Sequence, residues 1–142
     1  MGRILAIDYG RKRCGIAVTD SARIIASPLQ TVPTHELESF LNDYTTKEKV
    51  DIFVIGYPVT LNNQPSESVK YIDPFIRRLG KIFPSIPVRK VDERFTSSIA
   101  MQAMIDGGMK KSDRKDKSKV DKISASLILQ SYLQQAENKN NS

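Results

Sequence analysis

Three carboxylates stand at positions where carboxylates do chemistry. Asp8 ends the first apolar run of the chain, Glu93 follows the last strand-like run in the segment VDERFTS, and Asp121 falls in the first turn of the last helical stretch. In an open α/β sheet, sites gather at the carboxyl ends of the strands. Asp8 and Glu93 share that edge if the first and fifth strands run parallel. Asp121 precedes Ala125, Ile128 and Tyr132 by four, seven and eleven residues, so it heads the helix face that must pack on the protein body. Carboxylates brought together repel one another unless a cation joins them. Oxygen ligands without a His or Cys cluster suit Mg²⁺ or Mn²⁺. One or two such ions, held by Asp8, Glu93 and Asp121, can activate a water and stabilise the leaving oxygen of a phosphodiester.

Cations surround these acids in the sequence. Arg11, Lys12 and Arg13 follow Asp8, Arg94 follows Glu93, and Lys110, Lys111, Arg114 and Lys119 precede or flank Asp121. Side chains of this kind hold a phosphate backbone. Taken together, the residues describe a metal-dependent nuclease. Each piece also has a plain structural use. Asp8 suits a glycine turn, Glu93 can pair with Arg94 or Lys90, Asp121 suits a helix start, and a basic loop can be a solvated tether. Their joint placement at one sheet edge is what favours the nuclease. His35, the single histidine, is expected to be exposed at a helix start.

Composition bounds the rest. The chain has 142 residues, 39% hydrophobic and 27% charged, which suits one soluble globular domain. Residues 1–137 read as that domain and 138–142 as a frayed tail. No apolar run approaches a membrane span and no signal sequence stands at the start, so a cytoplasmic location without membrane contact is expected. The lone Cys14 excludes an internal disulfide, suits a reducing compartment and reads as a small buried strand residue. The net charge of +6 favours a polyanionic partner. It is concentrated: residues 110–122 carry seven Lys or Arg against three Asp. Within it, 110–118 reads as a mobile loop.

The elements that must position these residues follow from periodicity. Ile4–Ile7 and Cys14–Val18 are short apolar runs around a turn with Gly10 and Gly15, an antiparallel hairpin. A third strand starts at Ile24–Ile25 and passes Pro28, which predicts an edge or a bulge. Thr34 can cap a helix with Leu37, Phe40, Leu41 and Tyr44 on one face. The unalternating core of Asp51–Gly56 predicts a central strand covered on both sides. Ser66 can cap a second helix with Val69, Ile72, Ile76 and Leu79 apolar, kinked at Pro74 or starting later. Val88–Val91 is a fifth strand. Thr96 or Ser97 begins a helix that Gly107–Gly108 ends, and a last helix spans about Ser118 to Ala136. The class is α/β, with an antiparallel meander feeding a mixed five-stranded sheet flanked by helices.

The segments AIDYGRKRCGIAVTD (6–20), VIGYP (54–58), VDERFTS (91–97) and DKISASLILQSYL (121–133), in this order, closely resemble the bacterial YqgF family, which is similar to RuvC-type resolvases. The resemblance implies a ribonuclease H-like fold and an endonuclease that matures the 5′ end of the small-subunit (16S) ribosomal RNA precursor. It therefore implies that RNA, with the ribosome or its assembly intermediates, as partners. An older inference for the family is Holliday junction resolution, with branched DNA as substrate. The family's acids fall on Asp8, Glu93 and Asp121, and its glycine-basic turn on Gly10, Arg13 and Gly15. Two departures are visible. RuvC-like nucleases carry an acid near the end of the fourth strand, where this chain has Ile55–Gly56–Tyr57–Pro58; Glu93 must serve instead, with Asp92 a weaker substitute. Pro74 also interrupts the expected second helix. Two other function classes compete: an actin-like phosphotransferase, which needs a second domain of this kind, and a non-catalytic RNA-binding assembly factor of the same fold.

Overall fold

A two-stranded hairpin begins the molecule and becomes the centre of its sheet. The computed structural model of the protein describes residues 2–57, 69–92 and 117–140. In chain order its strands are β1 (Arg3–Asp8), β2 (Arg13–Thr19), β3 (Ala26–Pro33), β4 (Val50–Tyr57) and β5 (Val88–Asp92). The described helices are α1 (Leu37–Lys47), entered through a 3-10 turn at Thr34–Glu36, α2 (Val69–Ile82) and α3 (Lys117–Asn140). The sheet order is β3-β2-β1-β4-β5. β1, β2 and β3 pair antiparallel, and β1, β4 and β5 run parallel. The carboxyl ends of β1, β4 and β5 therefore share one edge, as the carboxylate reading requires.

The pleat sorts the core into two layers. Leu5, Ile7, Ile16, Phe53 and Ile55 point to the side covered by α1 and α2, where they meet Leu37, Leu41, Ile72, Phe75 and Leu79. Ile4, Ala6, Ala17, Val54 and Val91 point to the other side and pack with Ala125, Ile128 and Leu129 of α3. Phe53, Val54 and Ile55 are completely buried, as a central strand covered on both faces must be. Each such side chain contributes about 1.5–3 kcal/mol relative to exposure.

The structure departs from some of the sequence expectations and meets others. Ile24 and Ile25 do not begin β3; they lie in the turn before it, 74% and 62% exposed. Asp20 accepts the backbone N–H groups of both residues at 2.8 and 2.9 Å, so their backbone is used by the turn rather than the ladder. Pro28 does occupy an edge strand, with a register shift opposite Ile16 and Ala17, which gives both of its expected accommodations at once. α2 runs through Pro74 from Val69, so helical backbone already precedes the proline. Its buried stripe is Ile72, Phe75 and Leu79, with Ile76 only partly covered. α3 extends to Asn140, past the expected end at Ala136. The helix expected between Thr96 or Ser97 and Gly107–Gly108, the Ser66 cap and most of the 110–118 loop lie outside the described residues.

Candidate active site

Asp8 is the last residue of β1 and is half-buried. It shares the pleat parity of Ile4 and Ala6, which places it on the α3 side. Its partner across the ladder is Gly15, which brings no side chain to that face. The next residue, Tyr9, packs on the opposite side, stacked on Phe75 of α2 with ring centroids 4.5 Å apart. Burial raises the Tyr9 hydroxyl above the usual tyrosine range. The chain thus passes from the α3 face to the α2 face between two consecutive residues at the sheet edge.

The turn after Tyr9 is locked from outside the hairpin. A side chain at Gly10 would meet the Arg13 carbonyl oxygen at 2.4 Å, a backbone contact that cannot relax cheaply, so only glycine fits. The Thr34 hydroxyl donates to the Gly10 carbonyl at 2.7 Å, and the Thr34 N–H donates to the Lys12 carbonyl at 3.0 Å. Cys14 Sγ approaches the same Gly10 oxygen at 3.8 Å and Thr34 Oγ1 at 3.5 Å. Thr34 was expected to cap a helix. Its hydroxyl instead ties the β1–β2 turn to the start of the 3-10 turn, which has no side-chain cap. Arg11 and Lys12 are exposed at the tip of the turn, and Arg13 is half-buried at the start of β2. The Arg11 guanidinium lies 4.4 Å over the ring of Tyr71.

At the end of β4, Tyr57 donates its hydroxyl to the Asp73 carboxylate of α2 at 3.1 Å, and the Lys90 ammonium lies 4.6 Å from the Tyr57 ring centre. Desolvation, and then the Asp73 carboxylate, raise the Tyr57 hydroxyl. Tyr57 is in register with Asp92 of β5. Tyr9, Tyr57, Asp73, Phe75 and Lys90 were all missed in the sequence as residues that shape this edge. For Phe75 a signal existed: it stands midway between Ile72 and Leu79 on the helical period. The Tyr57–Asp73 pair spans a loop, and no local pattern announces it.

Of the candidate residues, Asp8, Arg11, Lys12 and Arg13 lie together at the β1–β2 turn. Asp121 and Lys119 lie in the first turns of α3. The face that Asp121 heads is the packed one: Ala125 and Ile128 are buried, and Tyr132 packs on the same cluster. Glu93, Arg94, Lys110, Lys111 and Arg114 lie outside the described residues. Among the described residues no three His, Cys, Asp or Glu side chains form a cluster, and no helix is long and apolar enough to cross a membrane.

The model of the family described as "RuvX: Holliday junction resolvase" matches residues 2–135. The chain belongs to the RuvX family. RuvX and YqgF are two names for one family. Relatives of this RuvX chain bear the name "Putative pre-16S rRNA nuclease". The one from Phocaeicola vulgatus is 58% identical over 134 residues, spanning 94% of this chain and 96% of the relative. That from Porphyromonas gingivalis is 56% identical over 133 residues, again 94% and 96%. Among solved structures, Thermus thermophilus RuvC in complex with a Holliday junction substrate aligns over 96% of the RuvX chain and 97% of its own, with a TM-score of 0.59 and 13% identity. That likeness establishes the ribonuclease H-like fold.

Proposed function

We propose that this chain is a metal-dependent endonuclease that hydrolyses phosphodiester bonds in structured nucleic acid, its reaction being 5′-end maturation of the 16S ribosomal RNA precursor. The observation that carries the chemistry is Asp8 at the carboxyl edge, on the sheet face that α3 covers with the stripe headed by Asp121. The names of relatives more than half identical over nearly the whole chain support the RNA substrate. The family description and the RuvC-like fold support branched DNA as a second substrate. We read residues 1–137 as one catalytic domain, working in the cytoplasm where ribosomal precursors and assembly intermediates are found.

Asp8, Glu93 and Asp121 are the proposed ligands. Glu93 is taken over Asp92 because the family's acid falls on Glu93 in the segment VDERFTS. The donor chemistry fits a hard cation. Cys14, the nearest soft ligand in sequence, belongs to the opposite core layer and is engaged with Gly10 and Thr34. This leaves carboxylate oxygens, which suit Mg²⁺ or Mn²⁺. One or two bound ions would supply positive charge to activate a water and to stabilise the leaving oxygen. Arg11, Lys12, Arg13 and Lys119, with Arg94, Lys110, Lys111 and Arg114, grip the phosphates on either side of the cleaved bond.

The test compares the wild type with Asp8→Asn on a 16S precursor and on a four-way DNA junction, with Mg²⁺ or Mn²⁺. Precursor cleavage should drop by at least about a hundredfold, while binding is retained, because the substitution removes a metal ligand and leaves the phosphate contacts. Equal cleavage by both proteins rejects the catalytic role of Asp8. Binding without cleavage by either protein supports an assembly factor instead, and cleavage of the junction alone supports a resolvase.

A further inference from the structure

On the face of the sheet opposite Asp8, a cleft of about 350 Å³ opens between the 3-10 turn, α1 and α2. Its size is at the lower end of the range for small-ligand sites, about 300–1,000 Å³. Three aromatic rings line it: Tyr9, Phe75 and Tyr71. Tyr9 and Phe75 are stacked and packed onto the core, so the inner wall is a fixed apolar surface. Tyr71 differs. It is 41% exposed, and one face of its ring carries the Arg11 guanidinium. With one face under Arg11 and the residue still accessible, the ring offers aromatic surface at the mouth of the cleft. The polar lining is Thr34, His35, Glu38 and Arg78. Glu38 and Arg78 are consumed by their bidentate pair, so the charge beside Tyr71 is that of Arg11.

We propose that this cleft takes one unpaired nucleotide of the nucleic-acid substrate, its base stacked against Tyr71 and Tyr9 and its phosphate held by Arg11. The inference rests on the reading of the chain as a nucleic-acid enzyme and adds the substrate feature that reading lacks: a single-stranded nucleotide beside the cleavage site. Aromatic faces that accept any base, next to cations that follow the backbone, are how single strands are held without sequence preference. Continuity along the chain supports the placement. Asp8 and Tyr9 are consecutive, on opposite faces of one strand end, so a strand that rounds this edge can offer its phosphodiester to one face and its neighbouring base to the other. A paired region cannot do this, because its bases are already stacked on one another.

A short single-stranded RNA carrying one 2-aminopurine tests this, titrated in metal-free buffer into wild type, Tyr71→Ala, Tyr71→Leu and Tyr71→Phe. Stacking quenches the 2-aminopurine. Quenching should appear with wild type and Tyr71→Phe, and be lost with Tyr71→Ala and Tyr71→Leu. Affinity in the latter two should be weaker by about tenfold, the effect of one aromatic–base stack. A blunt duplex of the same sequence should bind wild type and Tyr71→Ala alike. The exposed position of Tyr71 keeps the variants folded, and matching melting temperatures verify it. Equal quenching and affinity across the set, or no quenching with wild type, overturns the proposal. The outcome is separable from the nuclease reading: loss of cleavage in Asp8→Asn with no Tyr71 effect removes the cleft alone, whereas unchanged cleavage in Asp8→Asn removes the nuclease reading.

Discussion

Replacing Thr34 by valine exchanges one hydroxyl for a methyl of similar size, and the structure says what that hydroxyl does. It donates to the Gly10 carbonyl at 2.7 Å, across 24 residues of sequence, and so holds the turn that follows Asp8. Valine keeps the branched β-carbon, and the backbone bond from residue 34 to the Lys12 carbonyl at 3.0 Å is untouched. What remains at the Gly10 oxygen is the Cys14 thiol at 3.8 Å, a weak donor. A hydrogen bond of this kind contributes about 0.5–1.5 kcal/mol net, and an acceptor stripped of its partner costs about 1–3 kcal/mol when buried. Gly10 is half-buried and keeps the thiol, so Thr34→Val should destabilise by about 1–2 kcal/mol. For a chain of this length, that is a fall in melting temperature of roughly 3–7 °C. Thermal melts followed by circular dichroism give the shift, and urea titration at unchanged m confirms that stability alone moved. Because the thiol backs up the hydroxyl, Thr34→Val combined with Cys14→Ala should cost more than the sum of the singles, by about 0.5 kcal/mol. Precursor cleavage by Thr34→Val should fall about tenfold, since small displacements of a catalytic group are costly in rate. A melting temperature within about 1 °C of wild type would show that the hydroxyl does not hold this turn.

Two further perturbations test the frame around the site. Phe75→Ala removes a buried ring from the α2-side core and the stacking partner of Tyr9; it should cost about 3–5 kcal/mol, read as a lower urea midpoint, and an effect below about 1 kcal/mol would mean that Tyr9 is held without it. The second is a pH dependence. Asp51 accepts the Gly2 N–H at 2.8 Å and pairs with Arg23, and these hold its carboxyl below the usual aspartate range. A lowered folded-state pKa stabilises above the unfolded value, near 3.9, and that stabilisation is lost as pH falls through the folded value. Wild type should therefore melt above Asp51→Asn at neutral pH, with the gap closing at pH below about 4. A gap that stays constant into acid would mean that the charge of Asp51 contributes nothing.

Local periodicity made most of the framework readable. The short apolar runs of β1 and β2, the unalternating core of β4 and the spacing of Leu37, Leu41, Ile72 and Leu79 all carry their own burial signal, because pleat and helix repeats are set by neighbours in sequence. The face that Asp121 heads was readable for the same reason, through Ala125, Ile128 and Tyr132. Where a residue's role is set by a distant partner, the reading failed. Thr34 has the chemistry of a cap, and only the packing of the 3-10 turn against the hairpin diverts its hydroxyl to Gly10. Ile24 and Ile25 have strand propensity, and the Asp20 carboxylate takes their N–H groups into a turn.

The sequence by itself determined the family, the class of the sheet, the two-sided covering of β4 and the choice of Asp8, Glu93 and Asp121 as candidates, since these depend on residue type and short-range repeat. Only the tertiary structure decided that β1, β4 and β5 run parallel, that Asp8 faces α3 while Tyr9 faces α2, and that Tyr9, Phe75, Tyr71 and Arg11 meet at one cleft. Those relations join residues far apart in sequence, Tyr9 and Phe75 by 66 positions and Asp8 and α3 by more still. They are selected by how two apolar layers close over one sheet, which no window of local sequence contains.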